Sequence, residues 1–345
     1  MRYLNSIYFL MLIIAIVLSS CNQGVEPDNN VIGFSYTNET RSVESDYATK
    51  YGKTATIWGY SNNGGWVYNS QNGLTAILNT DDKTIEVNTG TELEYWSGDA
   101  YHFYSLWPPV QGATVKRNEA DNPNGLYFDF NSDEQKDQLV SYFTVSGADA
   151  ETRTEPVHFE YLHVLSNVVF NIRKNTANTA DEVVLLSFSL SGVQKSGTCA
   201  YLESATPTWS YGEKTTITMF EQKDISEGTV EDGDVLPEGF LPITAQPVGA
   251  NVVSDGYLIV PQSIPYNTVA VNLIYAFRRT TDNTVHNIKE INNIYLPIDK
   301  ISKWEQNKKY TYYIYLAAES NNIIFGSPTV DNWGTTRGAP TIIFQ

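Results

Sequence analysis

Residues 157–172 read Val-His-Phe-Glu-Tyr-Leu-His-Val-Leu-Ser-Asn-Val-Val-Phe-Asn-Ile, and their reading sets the expectation for the whole chain. Val157, Phe159, Tyr161 and His163 alternate with His158, Glu160 and Leu162, the two-residue period of a strand with one buried face. Shorter apolar and β-branched runs recur at Val31–Tyr36, Tyr101–Trp107, Leu139–Val145, Tyr310–Leu316 and Thr341–Phe344, set off by Gly, Asn, Asp and Pro. Helical spacing nowhere persists beyond two turns. The pattern predicts an all-β chain, with each sheet burying one face against another. Fourteen candidate strands exceed one seven-stranded sandwich, so two tandem β-sandwich domains are expected, 21–153 and 154–345 after a leader of residues 1–20. The linker is placed at Ser146–Pro156, which holds no bulky apolar residue.

Composition agrees with this class. Of 345 residues 18% are charged and 13% aromatic, with 23 Tyr and 7 Trp, a balance suited to strands. The 22 basic and 39 acidic residues give a formal charge of −17, which repels phosphate backbones. No basic cluster longer than Arg278-Arg279 or Lys308-Lys309 offsets it, so nucleic acid is not expected as a partner.

Met1-Arg2 precedes twelve almost wholly apolar residues, Ile7 to Leu18, and then Ser19-Ser20-Cys21. This order resembles a bacterial lipoprotein signal, in which small residues precede a cysteine that takes a diacylglycerol. The resemblance implies lipidation at Cys21 and an outer-membrane anchor, with residues 22–30 as a polar tether. Twelve residues of helix reach roughly 18 Å, short of a hydrocarbon core of about 30 Å, so a membrane-spanning helix is not expected. With Cys21 acylated, Cys199 has no partner and no disulfide is expected.

Catalytic patterns are missing. There is no Gly-x-Ser-x-Gly elbow, and Gly52-Lys53-Thr54 lacks a phosphate loop's first glycine because position 47 is Tyr. His102, His158, His163 and His286 lack the close spacing of a zinc site, and His158 and His163, five apart on one strand, should face opposite sides. His163 reads as an inward histidine whose ring is hydrogen-bonded rather than as a catalytic base. Asp232-Gly233-Asp234 lacks the spacing of a calcium loop. Trp66, on a possible hairpin tip Asn63–Tyr68, is a candidate sugar-stacking residue, although tryptophan is also an ordinary sandwich core residue. No enzyme activity, metal or cofactor is expected.

Several segments taken together resemble the fimbrillins, the shell subunits of type V pili, which are exported as lipoproteins. Phe34 to Arg41-Ser42 is similar to the family's first strand ending in a Thr-Arg pair. Ala100–Tyr104 with Pro108, Phe159–Val168 with its His163, Leu258–Gln262 followed by Val271 and Tyr275, and Trp304, Tyr310, Tyr312, Ile314, Leu316 and Trp333 resemble later family strands in order. Asn307-Lys308 stands where the family often has Gly, and Asn tolerates the same left-handed turn.

The resemblance implies two transthyretin-like sandwiches that polymerise with other pilin subunits, an anchored precursor and then an extracellular fimbrium. It also implies maturation by an arginine-specific protease between Arg41 and Ser42, with Arg153 in the linker as the rival site. A spare C-terminal strand with Ile342, Ile343 and Phe344 is the candidate donor to a groove vacated by Val31–Tyr36, which is read as an edge strand. Either Val31, Gly33 and Ser35 or Ile32, Phe34 and Tyr36 face the core, and only the second set is bulky. The alternative is a surface glycan-binding lipoprotein, and a weaker one is a secreted hydrolase.

Overall fold

The computed structural model describes residues 31–38, 44–88, 94–119, 121–174, 181–203, 206–221, 233–234, 242–243, 256–316 and 323–333. The first strands are β1 (Phe34–Asn38), β2 (Thr54–Ser61), β3 (Leu74–Leu78), β4 (Thr84–Val87), β5 (Tyr101–Trp107), β6 (Thr114–Lys116), β7 (Gly125–Asn131), β8 (Leu139–Val145) and β9 (Val157–His163). Next come β10 (Ser166–Lys174), β11 (Asp181–Gln194), β12 (Ser196–Leu202), β13 (Thr208–Tyr211), β14 (Lys214–Glu221), β15 (Pro242–Ile243) and β16 (Tyr257–Ile259). The last are β17 (Gln262–Ser263), β18 (Ala270–Arg279), β19 (Val285–Tyr295), β20 (Lys303–Trp304), β21 (Lys308–Leu316), β22 (Ile323–Phe325) and β23 (Thr329–Asn332). Helices α1 (Glu44–Tyr51) and α2 (Gly147–Glu151) are short insertions, the latter capped by the Ser146 hydroxyl accepting from Asp149 N. The chain is all-β, as the periodicity predicts.

Seven strands close on themselves in the order β1-β4-β3-β2-β5-β8-β9, with β9 returning to β1 in parallel. Their inward faces share a core of Ile57, Phe103, Trp107, Phe159 and Tyr161, together with Ile32, Phe34 and Tyr36. Alternation fails on the neighbouring wall of β2, β5 and β8, where the outward residues Trp58, Tyr60, Tyr104, Leu106 and Val140 are buried as well. A second layer accounts for this. The sheet β13-β12-β7-β6 lays Leu126, Phe128, Phe130, Cys199 and Tyr201 on that wall. The β12–β13 hairpin therefore comes from late in the chain to cover the first barrel.

Beyond it, the sheet β16-β10-β21-β22, with β23 beside β21, and the sheet β14-β11-β18-β19, with β15 beside β11, share a core that includes Phe170, Phe188, Tyr275, Trp304 and Tyr312. This is a sandwich, and it repeats the parallel pairing of the first unit, here β10 on β21 from Ser166↔Lys308 to Lys174↔Leu316.

The run 157–172 is two strands rather than one. β9 pairs with β1 and β8, and β10 pairs with β16 and β21, so the chain changes sheets at Val164-Leu165. Both junction residues are fully buried, and their backbones bond outward in opposite directions, Val164 N to Gln138 O and Asn307 N to Leu165 O. The boundary expected at 153/154 consequently falls within the β8–β9 connection of the first barrel, where α2 occupies the expected linker. The acid-rich stretch 221–238 lies almost entirely outside the described residues.

Because Phe128 is 2% exposed and wedged between the covering sheet and the barrel wall, Phe128→Ala should remove about 3–5 kcal/mol from folding stability. Urea unfolding followed by tryptophan fluorescence checks this, and a loss below about 1 kcal/mol would mean that the layer does not seal the wall.

Candidate assembly site

β1 is short, but with the residues just before it the segment carries large side chains at every second position from Ile32 to Tyr36. Ile32, Phe34 and Tyr36 are 2%, 5% and 0% exposed, so the bulky alternate set faces the core, as expected. Phe34 lies edge-on to Phe103 at 5.8 Å between centroids and stacks on Phe159 at 6.0 Å. Tyr36 meets Trp107 and Tyr161 edge-on at 6.1 and 6.2 Å, and its hydroxyl donates to Asn79 O at 3.3 Å. Three such side chains contribute about 5–9 kcal/mol of transfer free energy before conformational entropy is subtracted.

The backbone of this segment is paired on both sides. Five residues from Phe34↔Val157 to Asn38↔Tyr161 run parallel to β9, while Phe34↔Ile85 and Ser35↔Thr84 pair it with β4. The expectation of an edge strand is therefore corrected: β1 is an interior strand that closes the barrel, and removing it would expose two edges. On the outer surface His158 bridges two β1 hydroxyls, Ser35 at 2.9 Å to Nδ1 and Thr37 at 3.2 Å to Nε2. His163 faces inward on the same strand, as the five-residue separation implies.

His163 marks the end of this groove. Its Nδ1–H donates to Asp137 Oδ2 at 2.5 Å, and Trp333, just past β23, stacks flat on the ring at 4.2 Å and 7°. The Tyr47 hydroxyl of α1 lies 3.0 Å from Asp137 O and 3.3 Å from Trp107 O, and burial, with Asp137 second, pushes its pKa well above the ordinary tyrosine value. The end of the second sandwich is thus stacked on the strand that holds β1. Sequence reasoning identified His163 as inward but not Asp137, 26 positions away, because nothing local links them.

The remaining predicted residues divide into two groups. Cys21, Arg41, Ser42, Ile342, Ile343 and Phe344 lie outside the described residues. Trp66 is described and half-buried: it meets Tyr60 edge-on at 5.8 Å, and the Arg117 guanidinium lies 5.7 Å from its ring centroid and 4.8 Å from that of Tyr60. Arg153 donates to Pro156 O at 2.9 Å and lies over Phe143 and Trp96 at 5.0 and 5.5 Å.

Beside Trp66 is a polar cluster that joins the barrel to the end of β12. Tyr60 donates to Glu203 Oε1 at 2.7 Å, and its ring stacks on His102 at 5.0 Å. His102 Nε2–H donates to Asn62 Oδ1 at 3.0 Å, so the neutral ring accepts at Nδ1 from Tyr142, 2.6 Å away. Burial raises Tyr142 to about 12 and lowers His102 below its ordinary value, with Glu203 opposing the histidine shift and Arg117 adding to it. Among the described residues no three His, Cys, Asp or Glu side chains converge as metal ligands would, and Cys199 is buried and unpaired.

A family model described as fimbrillin-like matches residues 29–333. A fimbrial protein from Bacteroides vulgatus shares the fold at TM-score 0.59 and 15% identity, over 88% of this chain and 99% of its own. A candidate cell adhesion protein from Bacteroides eggerthii aligns at TM-score 0.50 and 12% identity, over 88% of this chain and 96% of its own. No curated protein matches.

The His102 geometry has a pH consequence. A histidine whose native pKa is depressed binds its proton less readily when folded, so its contribution to stability is full above about 6.5 and is lost as pH falls through the native value. The urea midpoint should fall between pH 7 and pH 5, and His102→Gln should reduce that fall. An identical fall in the variant would remove His102 from the account.

Proposed function

The chain belongs to the fimbrillin-like family, and from that premise we propose that it is a structural or adhesive subunit of a cell-surface fimbria, assembled with other pilin subunits. It is exported as a lipoprotein acylated at Cys21, cut after Arg41 by an arginine-specific protease, and polymerised by strand exchange. In the last step a C-terminal segment containing Ile342, Ile343 and Phe344 replaces β1. The division into two domains is then best drawn at Val164-Leu165, where the chain changes sheets.

The observation that carries the reading is the seating of β1. Three large side chains and a five-residue parallel ladder fill a slot between β4 and β9, and an incoming strand of similar bulk can fill it at nearly equal free energy. While β1 is covalently joined to the barrel its return is intramolecular, and cleavage between Asn38 and α1 ends that advantage. The packing of Arg153 over two aromatic rings favours Arg41 as the cut site, because a protease must draw its arginine into an extended pose. Trp333 supports the donor assignment: it brings the chain to the His163 end of β9 only two residues before the segment 335–345.

N-terminal sequencing of assembled material should return Ser42. A start at Cys21 would count against maturation, and a start at Thr154 would select Arg153. The precursor carrying Arg41→Ala should remain membrane-anchored and unassembled, and Cys21→Ala should no longer label with a palmitate analogue. Deletion of residues 335–345 should leave the fold intact and abolish filaments in negative-stain images; filaments of normal length from that variant would refute strand donation.

A further inference from the structure

The sheet β14-β11-β18-β19 carries apolar side chains on both faces. Val183, Leu185, Tyr275 and Phe277 point into the sandwich core, while Val184, Leu186, Ala276 and Val285 form a separate cluster on the opposite face, each 7% exposed or less. Ile274 and Ile288 pack against this outer cluster. All of its members come from β11, β18 and β19, so among the described residues no second layer supplies a side chain to it.

Two short pieces of chain grip the sheet at opposite edges. Pro242-Ile243, which is β15, pairs with Val184 and Val183 on the side of β11 away from β18. Gly233-Asp234 lies along the free edge of β19, with Gly233 N donating to Val285 O at 2.8 Å and Val285 N donating to Asp234 O at 2.7 Å. Four inter-strand steps separate the two pieces, about 19 Å at about 4.8 Å each. The eight Cα steps from Asp234 to Pro242 reach at most about 26–29 Å. Two other routes fail: the inner face is filled by the sandwich core, and a detour around the β18–β19 turn would add roughly 14–20 Å, more than the slack.

We infer that residues 235–241 cross the outer face directly and are its occupant. They read Val-Leu-Pro-Glu-Gly-Phe-Leu, and Val235, Leu236, Phe240 and Leu241 supply the apolar atoms that the cluster on β11, β18 and β19 needs. Pro237 suits a segment that crosses strands, because no ladder there requires its missing N–H. The preceding residues 222–232 hold Asp224, Glu227, Glu231 and Asp232 and only Ile225 and Val230 as bulky apolar residues, so they are left to solvent. The chain thus covers this face with its own segment, and no neighbouring pilin subunit docks on it. The inference does not rest on strand exchange, since neither β1 nor residues 335–345 take part.

The test compares the purified, uncut full chain with a variant combining Val235→Ser, Leu236→Ser, Phe240→Ser and Leu241→Ser, by light scattering, binding of a hydrophobic dye and thermal melting. The parent should be monomeric and bind little dye. The variant should bind several-fold more dye and melt at least about 4 °C lower. If the variant aggregates, thiol labelling decides. Phe240→Cys should react with a maleimide at least about tenfold more slowly than Thr229→Cys, with the parent as background, the ratio set by exposing one large apolar side chain. Three results would overturn the inference. A dimeric parent that gains dye binding on dilution would put a second copy on the face. Strong dye binding by the parent, unchanged in the variant, would leave the face open to another subunit. Equal labelling at positions 229 and 240 would show that the segment is not seated.

Discussion

The parallel pairing of β1 with β9, with Ile32, Phe34 and Tyr36 pressed into the space between β4 and β9, is the constraint on which the first barrel depends. Without it the order β4-β3-β2-β5-β8-β9 is an open sheet with two unpaired edges and an uncovered core. The aromatic side chains that Phe34 and Tyr36 contact come from both sides of the barrel, Phe103 and Trp107 from β5 and Phe159 and Tyr161 from β9. One strand therefore joins β4 to β9, which do not pair with each other among the described residues. A closure of this kind suits exchange, because it is worth enough to hold a monomer together and is delivered by a segment short enough to be matched by another.

The second constraint is the doubly buried wall. β2, β5 and β8 can carry Trp58, Tyr60, Tyr104, Leu106 and Val140 on their outer surface only because the β12–β13 hairpin returns to cover them with β6 and β7. Glu203, at the end of β12, then reaches Tyr60 and the His102 cluster. Together with Trp333 on His163, these contacts fix the later strands against the barrel at two separated points. By the same arrangement the covering sheet has one face committed to the core, while Asp129, Asn131, Thr198 and Ser210 on the other are left to solvent.

Much of this was legible in the sequence, for a physical reason. Tyr101–Trp107 and Leu139–Val145 read directly as strands with the bounds that the structure gives them, because large apolar residues mark buried strands whatever their partners. The same criterion merged β9 with β10. Val164 and Leu165 are as apolar as a strand interior, and only their backbone partners show that the chain changes sheets there. β12 and β13 were missed because Ser-Gly-Thr-Cys-Ala carries little apolar bulk, and Thr-Trp-Ser-Tyr, although it alternates two aromatic residues, is only four residues long. The inward set on β1 was readable from side-chain size alone, whereas its interior position was not, since a strand's neighbours are long-range facts. His163 shows the same limit: its burial follows from its strand, but its partners Asp137 and Trp333 come from elsewhere in the chain.

The central claim is that β1 is a replaceable strand, and backbone hydrogen exchange reads it directly. Amides of β9 and β4 should be protected in the uncut chain, lose protection after cleavage at Arg41 and release of the N-terminal segment, and regain it in filaments formed by the cut protein. Loss and recovery should be confined to Val157–His163 and Thr84–Val87, with β10 and β21 unchanged throughout. Retention of the Phe34–Asn38 segment, still protected, in filaments of the cut protein would contradict the account.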